Sequence, residues 1–254
     1  MPNDRNEPLW PTSLRCYDLT LSTTAENLAL DEALLSAVEA DPSAACLRFW
    51  QSADYVVVLG RSNKPETEVV IDDCVVRGIP IFRRMSGGGT VIVGPGCLCY
   101  SLILPIDDLH RSLGISGVTS KLMTRTAAGL HISHSLIQVC GTSDLTVNGM
   151  KFSGNAQRWL KHSFIHHGTI LFDFDLTMME RCLPHPTREP TYRNSRRHDE
   201  FVTNLAVNSV DLRNWLQASW NAVPAVCPTA ILEMASRIAV SRYDSIEWTI
   251  SPAT

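Results

Sequence analysis

Apolar and polar residues follow two rhythms along this chain. Leu30, Ala33, Leu34, Ala37 and Val38 recur at the helical period, which predicts a helix over Glu26 to Glu39 with a buried face. Leu28 and Leu35 fall off that stripe and point to a second neighbour, and Ser22-Thr23-Thr24 stand in front as caps. A second helix is expected from Glu66 to Arg77, with Pro65 in its first turn and Gly78 ending it. Further helices fit Ile115 to Leu130, Val210 to Trp220 and Thr229 to Ile238. Short apolar runs read as strands at Leu19–Thr23, Ala45–Trp50, Tyr55–Gly60, Ile79–Phe82, Val91–Val93, Cys97–Leu104, Leu136–Val139 and Ser163–Phe174. Asn148-Gly149, between Leu145-Thr146-Val147 and Met150-Lys151-Phe152, predicts a two-residue hairpin. Helices thus alternate with hairpin-connected strands. The expected fold is α/β (α+β): a mixed, mostly antiparallel sheet with packed helices.

A two-residue loop fixes register. Val147 should face Met150, Thr146 Lys151, Leu145 Phe152, and Asp144 Ser153. Alternation then gathers Asp144, Thr146, Lys151 and Ser153 on one face, with Asn155 and Gln157 extending the row, and sends Leu145, Val147, Met150, Phe152 and Ala156 to the core. Asp144 and Lys151 become diagonal neighbours about 7–8 Å apart at the backbone. The row reads either as a solvated face with one ion pair or as a bracket for a phosphate. His166-His167, adjacent on a strand, must point to opposite faces, one into the core and one toward any site.

Arg83-Arg84-Met85-Ser86-Gly87-Gly88-Gly89-Thr90 joins two strands. The guanidiniums suit phosphate or carboxylate, and the glycines let a ligand lie against the main chain. No Gly-Lys-Ser/Thr follows, so it is no P-loop, and a strand rather than a helix follows, so it is no dinucleotide fingerprint. It reads as a flexible tip or a ligand loop.

With 254 residues, 44% of them hydrophobic, the chain can bury one large core. Residues 1–15 are expected to form a flexible N-terminus and 16–254 a single domain. A net charge of −4 gives no basic field for nucleic acid. No apolar run reaches the roughly 18 residues of a membrane span, and Met1 to Thr12 lacks a signal core, so a cytoplasmic location is expected. The eight cysteines form no Cys-x-x-Cys pair and read as mostly buried free thiols.

Taken in order, these segments resemble the lipoate-protein ligase family, within the biotin/lipoate ligase (class II synthetase-like) fold group. The resemblance rests on Glu26 to Glu32, Leu47-Arg48-Phe49-Trp50, Val58 to Arg61 and Gly78 to Arg84, then the double-arginine, triple-glycine turn. It continues through Ser143 to Gln157 and His166-His167-Gly168-Thr169-Ile170-Leu171, and spans about Leu19 to Trp248. It implies ATP-dependent activation of lipoate or octanoate to an acyl-adenylate, then transfer to a lysine of a lipoyl domain. Lys151 is the implied catalytic residue, holding the acyl carbonyl and the α-phosphate. Asp144 is the implied Mg2+ contact. Arg83 is implied to hold nucleotide phosphates or stiffen its loop. Arg84, Ser86, Gly87, Gly88, Gly89, Thr90, Gly96, Ser153, Gly154, Ala156, His167 and Gly168 are the remaining implied binding residues. Trp50 and Val58 are implied to hold the dithiolane end. The implied partners are lipoyl domains of 2-oxoacid dehydrogenase acyltransferase subunits or the glycine cleavage H protein.

Two departures stand out. Val93-Gly94-Pro95-Gly96-Cys97 replaces a His-Asp-x-Gly-Asn segment common in the family. The chain also leaves no room for the family's C-terminal accessory domain after Trp248; the expectation is either a separate accessory polypeptide as partner or a reaction that does not need it. Cys140 opens a rival reading, an ATP-independent octanoyl or lipoyl transferase with Cys140 as acyl carrier; the alternative for this residue is an inert thiol. A third reading is a non-catalytic binding protein on the same fold. Tyr192 to His198 reads as a basic patch for an acidic lipoyl domain or as a solvated loop.

Overall fold

A computed structural model describes residues 8–130 and 136–251. In chain order the first elements are β1 (Leu14–Asp18), α1 (Thr24–Ala40), β2 (Cys46–Trp50), β3 (Val56–Leu59), α2 (Pro65–Glu68) and α3 (Ile71–Val76). Next come β4 (Ile81–Arg83), β5 (Val91–Val93), β6 (Cys97–Pro105), α4 (Asp108–Gly129), β7 (Ile137–Cys140) and β8 (Asp144–Val147). β9 (Met150–Trp159), β10 (Ser163–Leu171), α5 (Thr177–Cys182), α6 (His198–Phe201), α7 (Ser209–Ser219) and β11 (Ala222–Pro224) follow. The chain closes with α8 (Thr229–Ile238), a π-helical turn (Ala239–Tyr243) and α9 (Ile246–Ile250).

Eight strands form one sheet in the order β11-β1-β2-β6-β10-β9-β8-β7. The pairings of β1 with β11 and β2 are parallel and the rest antiparallel, so the expected mixed sheet is present. A small sheet, β4-β3-β5, carries the glycine turn between two of its strands. The central strands β2 and β6 are buried on both faces, which is why they read as continuous apolar runs. Along β6, Cys97, Cys99 and Ile103 join the core shared with α1 and the small sheet. Leu98, Tyr100, Leu102 and Leu104 join the core under α4 and α7.

α1 is held by a capping box between Thr23 and Glu26, as its sequence predicts. Leu28 and Leu35 are both buried, because the helix lies between the sheet and α8. Other elements differ from expectation. Leu19 to Thr23 is not a strand: β1 precedes it, and the Asn27 amide bonds both backbone groups of Leu21 as a neighbouring strand would. The helix after Pro65 breaks at Val69-Val70, where the Val70 N–H turns to the Cys182 carbonyl. α4 starts earlier than Ile115 because Asp107 caps a first turn, and Gly114, at φ 64°, kinks it. Of the stretch expected to be flexible, Trp10 packs edge-on against His110 and Trp220, and Leu14 and Arg15 already belong to β1; residues 1–7 lie outside the described residues.

Candidate active site

Register builds the site. Arg48 of β2 faces Ser101 of β6, which faces His167 of β10, which faces Ala156 of β9. Three strands therefore lay one polar row across the sheet, beneath α1, and Ala156 ends it. Asp31 on α1 meets that row: Arg48 donates to Oδ1 at 2.6 Å, Ser101 to Oδ2 at 2.7 Å, and His167 Nδ1 lies 3.5 Å from Oδ2. Burial alone would raise the Asp31 pKa, but Arg48, then His167 and Ser101, hold the carboxyl below its ordinary value. On its other side, His167 Nε2 meets Ser86 Oγ at 2.5 Å. Arg84 Nε donates to the same oxygen, and its Nη2 donates to the carbonyls of Gly87 and Gly89 at 2.6 and 2.8 Å. Burial lowers the Arg84 pKa to about 10, so the guanidinium stays charged at neutral pH. The glycine turn is thus a braced loop, not a flexible tip.

The hairpin brings in the second group. Asn148 and Gly149 take positive φ, 52° and 73°, as this turn demands. Val147 faces Met150 and Thr146 faces Lys151, as expected, but Leu145 then faces Ser153. Phe152 is an extra residue, a β-bulge, and it joins Leu145 in the core under α4 and α7. The bulge reverses the alternation beyond it. Gly154 and Ala156 therefore line the cavity. Ser153, Asn155 and Gln157 leave the expected row: Ser153 lies opposite Leu145 and accepts from the Asn155 amide, Asn155 accepts from Tyr100 Oη at 2.5 Å, and Gln157 bonds His166 and Trp159. Gly168 lies between Tyr100 and Asn155 in the register; a Cβ there would sit 1.8 Å from Asn155 Oδ1, so glycine clears the way for that bond.

Lys151 Nζ lies 2.8 Å from Asp144 Oδ1, and Tyr192 donates to Asp144 Oδ2 at 2.8 Å. Gly154 makes room for the ammonium, since a Cβ at that position would lie 2.9 Å from Nζ. Lys151 and Asp144 stand at the rim of a cavity of about 200 Å³ whose apolar walls include Leu28, Trp50, Val58, Val91 and Val93. The slot expected around Trp50 and Val58 is this cavity. A second cavity of about 450 Å³ also touches Asp144, Lys151, Ser153 and Gly154, and a groove of about 610 Å³ runs past Lys64, Gly88 and Arg188. All three meet at Gly89-Thr90.

Several expected site residues do other work. Arg83 is fully buried and lines none of these cavities; it donates to the carbonyls of Gly60, Arg61, Asn63, Trp248 and Thr249. It stiffens the loop rather than facing a phosphate. Gly96, at φ 77°, lies against the Asp173 backbone, where a Cβ would stand 2.0 Å from its carbonyl, so its role is a turn. Ser86 and Gly87 sit behind the turn as partners of Arg84. Asp144 has both oxygens engaged, Oδ1 by Lys151 and Oδ2 by Tyr192; among the described residues no group of three acidic, His or Cys side chains could hold a metal. Cys140 Sγ rests 3.3 Å from Thr146 Oγ1 and lines none of the three cavities. The Tyr192–His198 loop is no free basic patch. Arg193 and Arg196 bond backbone carbonyls and lie over Phe201, and Arg197 pairs with Glu180 and Asp199.

Sequence reading missed Asp31, Ser101 and Tyr192. Arg48, the one charged residue in the apolar strand Cys46–Trp50, was the available signal, because a charge there demands a buried partner.

The fold and cavity define an α/β domain with an apolar slot capped by a lysine–aspartate pair. The chain belongs to the lipoyl protein ligase A/B catalytic domain family, an enzyme family, whose model matches residues 23–213. It is 34% identical over 195 residues to a Mycoplasma genitalium protein named "Probable lipoate-protein ligase A", covering 76% of this chain and 55% of that one. It is 26% identical to "Octanoyltransferase LipM" of Clostridioides difficile, covering 65% and 68%. The chain spans about half the length of the curated ligase relatives it matches. Its fold is similar to that of a bi-partite lipoate protein ligase, solved in a study of that ligase and its E2 lipoyl domain from Thermoplasma acidophilum (TM-score 0.82, 22% identity, 95% and 98% covered). It is also similar to that of a lipoate-protein ligase A bound with ATP (TM-score 0.81, 22% identity, 95% and 100% covered). Among the described residues no helix is long and apolar enough to cross a membrane.

Proposed function

We propose that this chain activates lipoate or octanoate with ATP and transfers the acyl group to a lysine of a lipoyl domain. The observation that carries this reading is the ammonium of Lys151 at the rim of an apolar slot, aimed by Asp144. ATP supplies the adenylyl group. The acyl carboxylate attacks the α-phosphorus and pyrophosphate leaves. Then the carrier lysine attacks the acyl carbonyl and AMP leaves. Lys151 stabilises the negative charge that builds on the carboxylate and α-phosphate oxygens in both steps. The glycine turn, braced by Arg84, presents its backbone where the cavities meet. The apolar walls hold the acyl chain. Magnesium, where needed, would ride on the nucleotide phosphates, as it does when proteins supply few ligands.

The carriers proposed are lipoyl domains of 2-oxoacid dehydrogenase acyltransferase subunits or the glycine cleavage H protein. An accessory polypeptide is a further proposed partner, and the location proposed is cytoplasmic. The test is pyrophosphate release with ATP, magnesium and either acid, with and without a carrier domain and an added accessory polypeptide. Release dependent on the acid supports the proposal, and none under any of these conditions overturns it. The similarity to an octanoyltransferase favours a second reading, ATP-independent transfer through Cys140. That reading requires Cys140→Ala to abolish transfer from an octanoyl carrier protein.

A further inference from the structure

Three guanidiniums converge outside the lysine cavity. Arg61 follows β3, Arg158 lies near the end of β9, and Arg242 lies in the π-helical turn. With Glu32, Met85 and Trp248 they line a separate cavity of about 280 Å³, which shares no lining residue with the lysine cavity. Arg61 and Arg242 both stack on the Trp248 ring, with Cζ 4.2 and 4.9 Å from its centre. The ring itself is fixed, because Trp248 Nε1 donates to the Arg83 carbonyl at 2.8 Å. Glu32 is the single carboxylate in the lining; it pairs with Arg242 and accepts from Tyr243 Oη at 2.9 Å. Arg158 is exposed, and its side chain has no ion pair or hydrogen bond among the described residues. Burial, then the charges of Arg242 and Arg158, presses the Arg61 pKa below its ordinary value. The chain as a whole is negative, at −4, so this positive pocket is local.

Guanidinium forks match phosphate oxygens, and a concave surface with one aromatic wall suits a small ligand better than a flat protein face. We propose that Arg61, Arg158 and Arg242 form a second anion site, which takes a small phosphate-bearing ligand of two or more negative charges. The site abuts the glycine turn: the Arg61 N–H donates to the Ser86 carbonyl at 2.8 Å, and Arg83 bonds the carbonyls of both Arg61 and Trp248. Occupancy would therefore stiffen the turn from behind.

The test is calorimetric titration of a Lys151→Met variant with sodium pyrophosphate at constant ionic strength. That variant disables the lysine cavity, so this result does not depend on the proposed acyl chemistry. One equivalent should bind, and adding Arg158→Glu, at an exposed side chain, should weaken binding about tenfold or more. Arg242→Gln should weaken it as well. The proposal is overturned if Lys151→Met binds no pyrophosphate, or if binding is indifferent to both substitutions. It is also overturned if chloride displaces pyrophosphate equally well, or if only an acidic protein domain, and no small anion, engages the arginines.

Discussion

Two charged clusters flank the same cavity and are built in opposite ways. Asp31, Arg48, Ser101, His167, Ser86 and Arg84 form a closed chain beneath α1, and Arg48, Ser86 and Ser101 are at most 1% exposed. Lys151, Asp144 and Tyr192 form a short chain at the rim, where the Lys151 side chain keeps 29% of its surface. A buried pair gains little net stability, because leaving water costs about what the attraction returns, but breaking one is costly. A pair at a rim is weak and free to exchange partners. The inner cluster is therefore suited to holding shape and the outer one to meeting a substrate.

Substitutions can break this contrast. Lys151→Met should reduce acyl-adenylate formation about thousandfold or more, from loss of the charge that stabilises both transition states. Its unfolding midpoint should stay close to wild type, as expected of a partly exposed side chain at a rim. Asp31→Ala should do the reverse in kind. It strands the buried Arg48 guanidinium and should destabilise the fold by about 3–5 kcal/mol, read from urea unfolding.

His166, on the other face of β10, sharpens the comparison through pH. Burial, then the neighbouring His167, lowers its pKa to about 3, against roughly 6.5 in the unfolded chain. A depressed pKa stabilises the fold above the unfolded value and loses that contribution as pH falls through the window from about 6.5 to 3. This residue alone should remove about 2 kcal/mol between pH 7 and pH 5, and His166→Asn should flatten that slope. The smallest effect belongs to Gly154→Ala. The added methyl would displace the Lys151 ammonium, and activity should fall about tenfold with little change in stability.

The same division explains what could be read from the chain beforehand. The α1 cap, the Asn148-Gly149 turn and the helix Thr229–Ile238 rest on neighbours in sequence, so local chemistry announced them. Lys151 and Asp144 lie seven positions apart across a hairpin, and their pairing followed from the turn. The bulge at Phe152 did not, because it depends on Phe152 and Leu145 sharing a core with α4 and α7. Arg83 and Arg84 look equivalent in sequence, yet one ties the C-terminal segment to β3 and the other braces the glycines. Their partners lie as far as 166 positions away, beyond any local pattern. Asp31 and Tyr192 escaped notice for the same reason.

The most direct test of the central claim is native mass spectrometry of the wild-type chain incubated with octanoate, ATP and magnesium, without a carrier domain. The account predicts one acyl-adenylate held non-covalently per chain, absent from Lys151→Met. An octanoyl thioester on Cys140, or an acyl-adenylate retained equally by Lys151→Met, would contradict it.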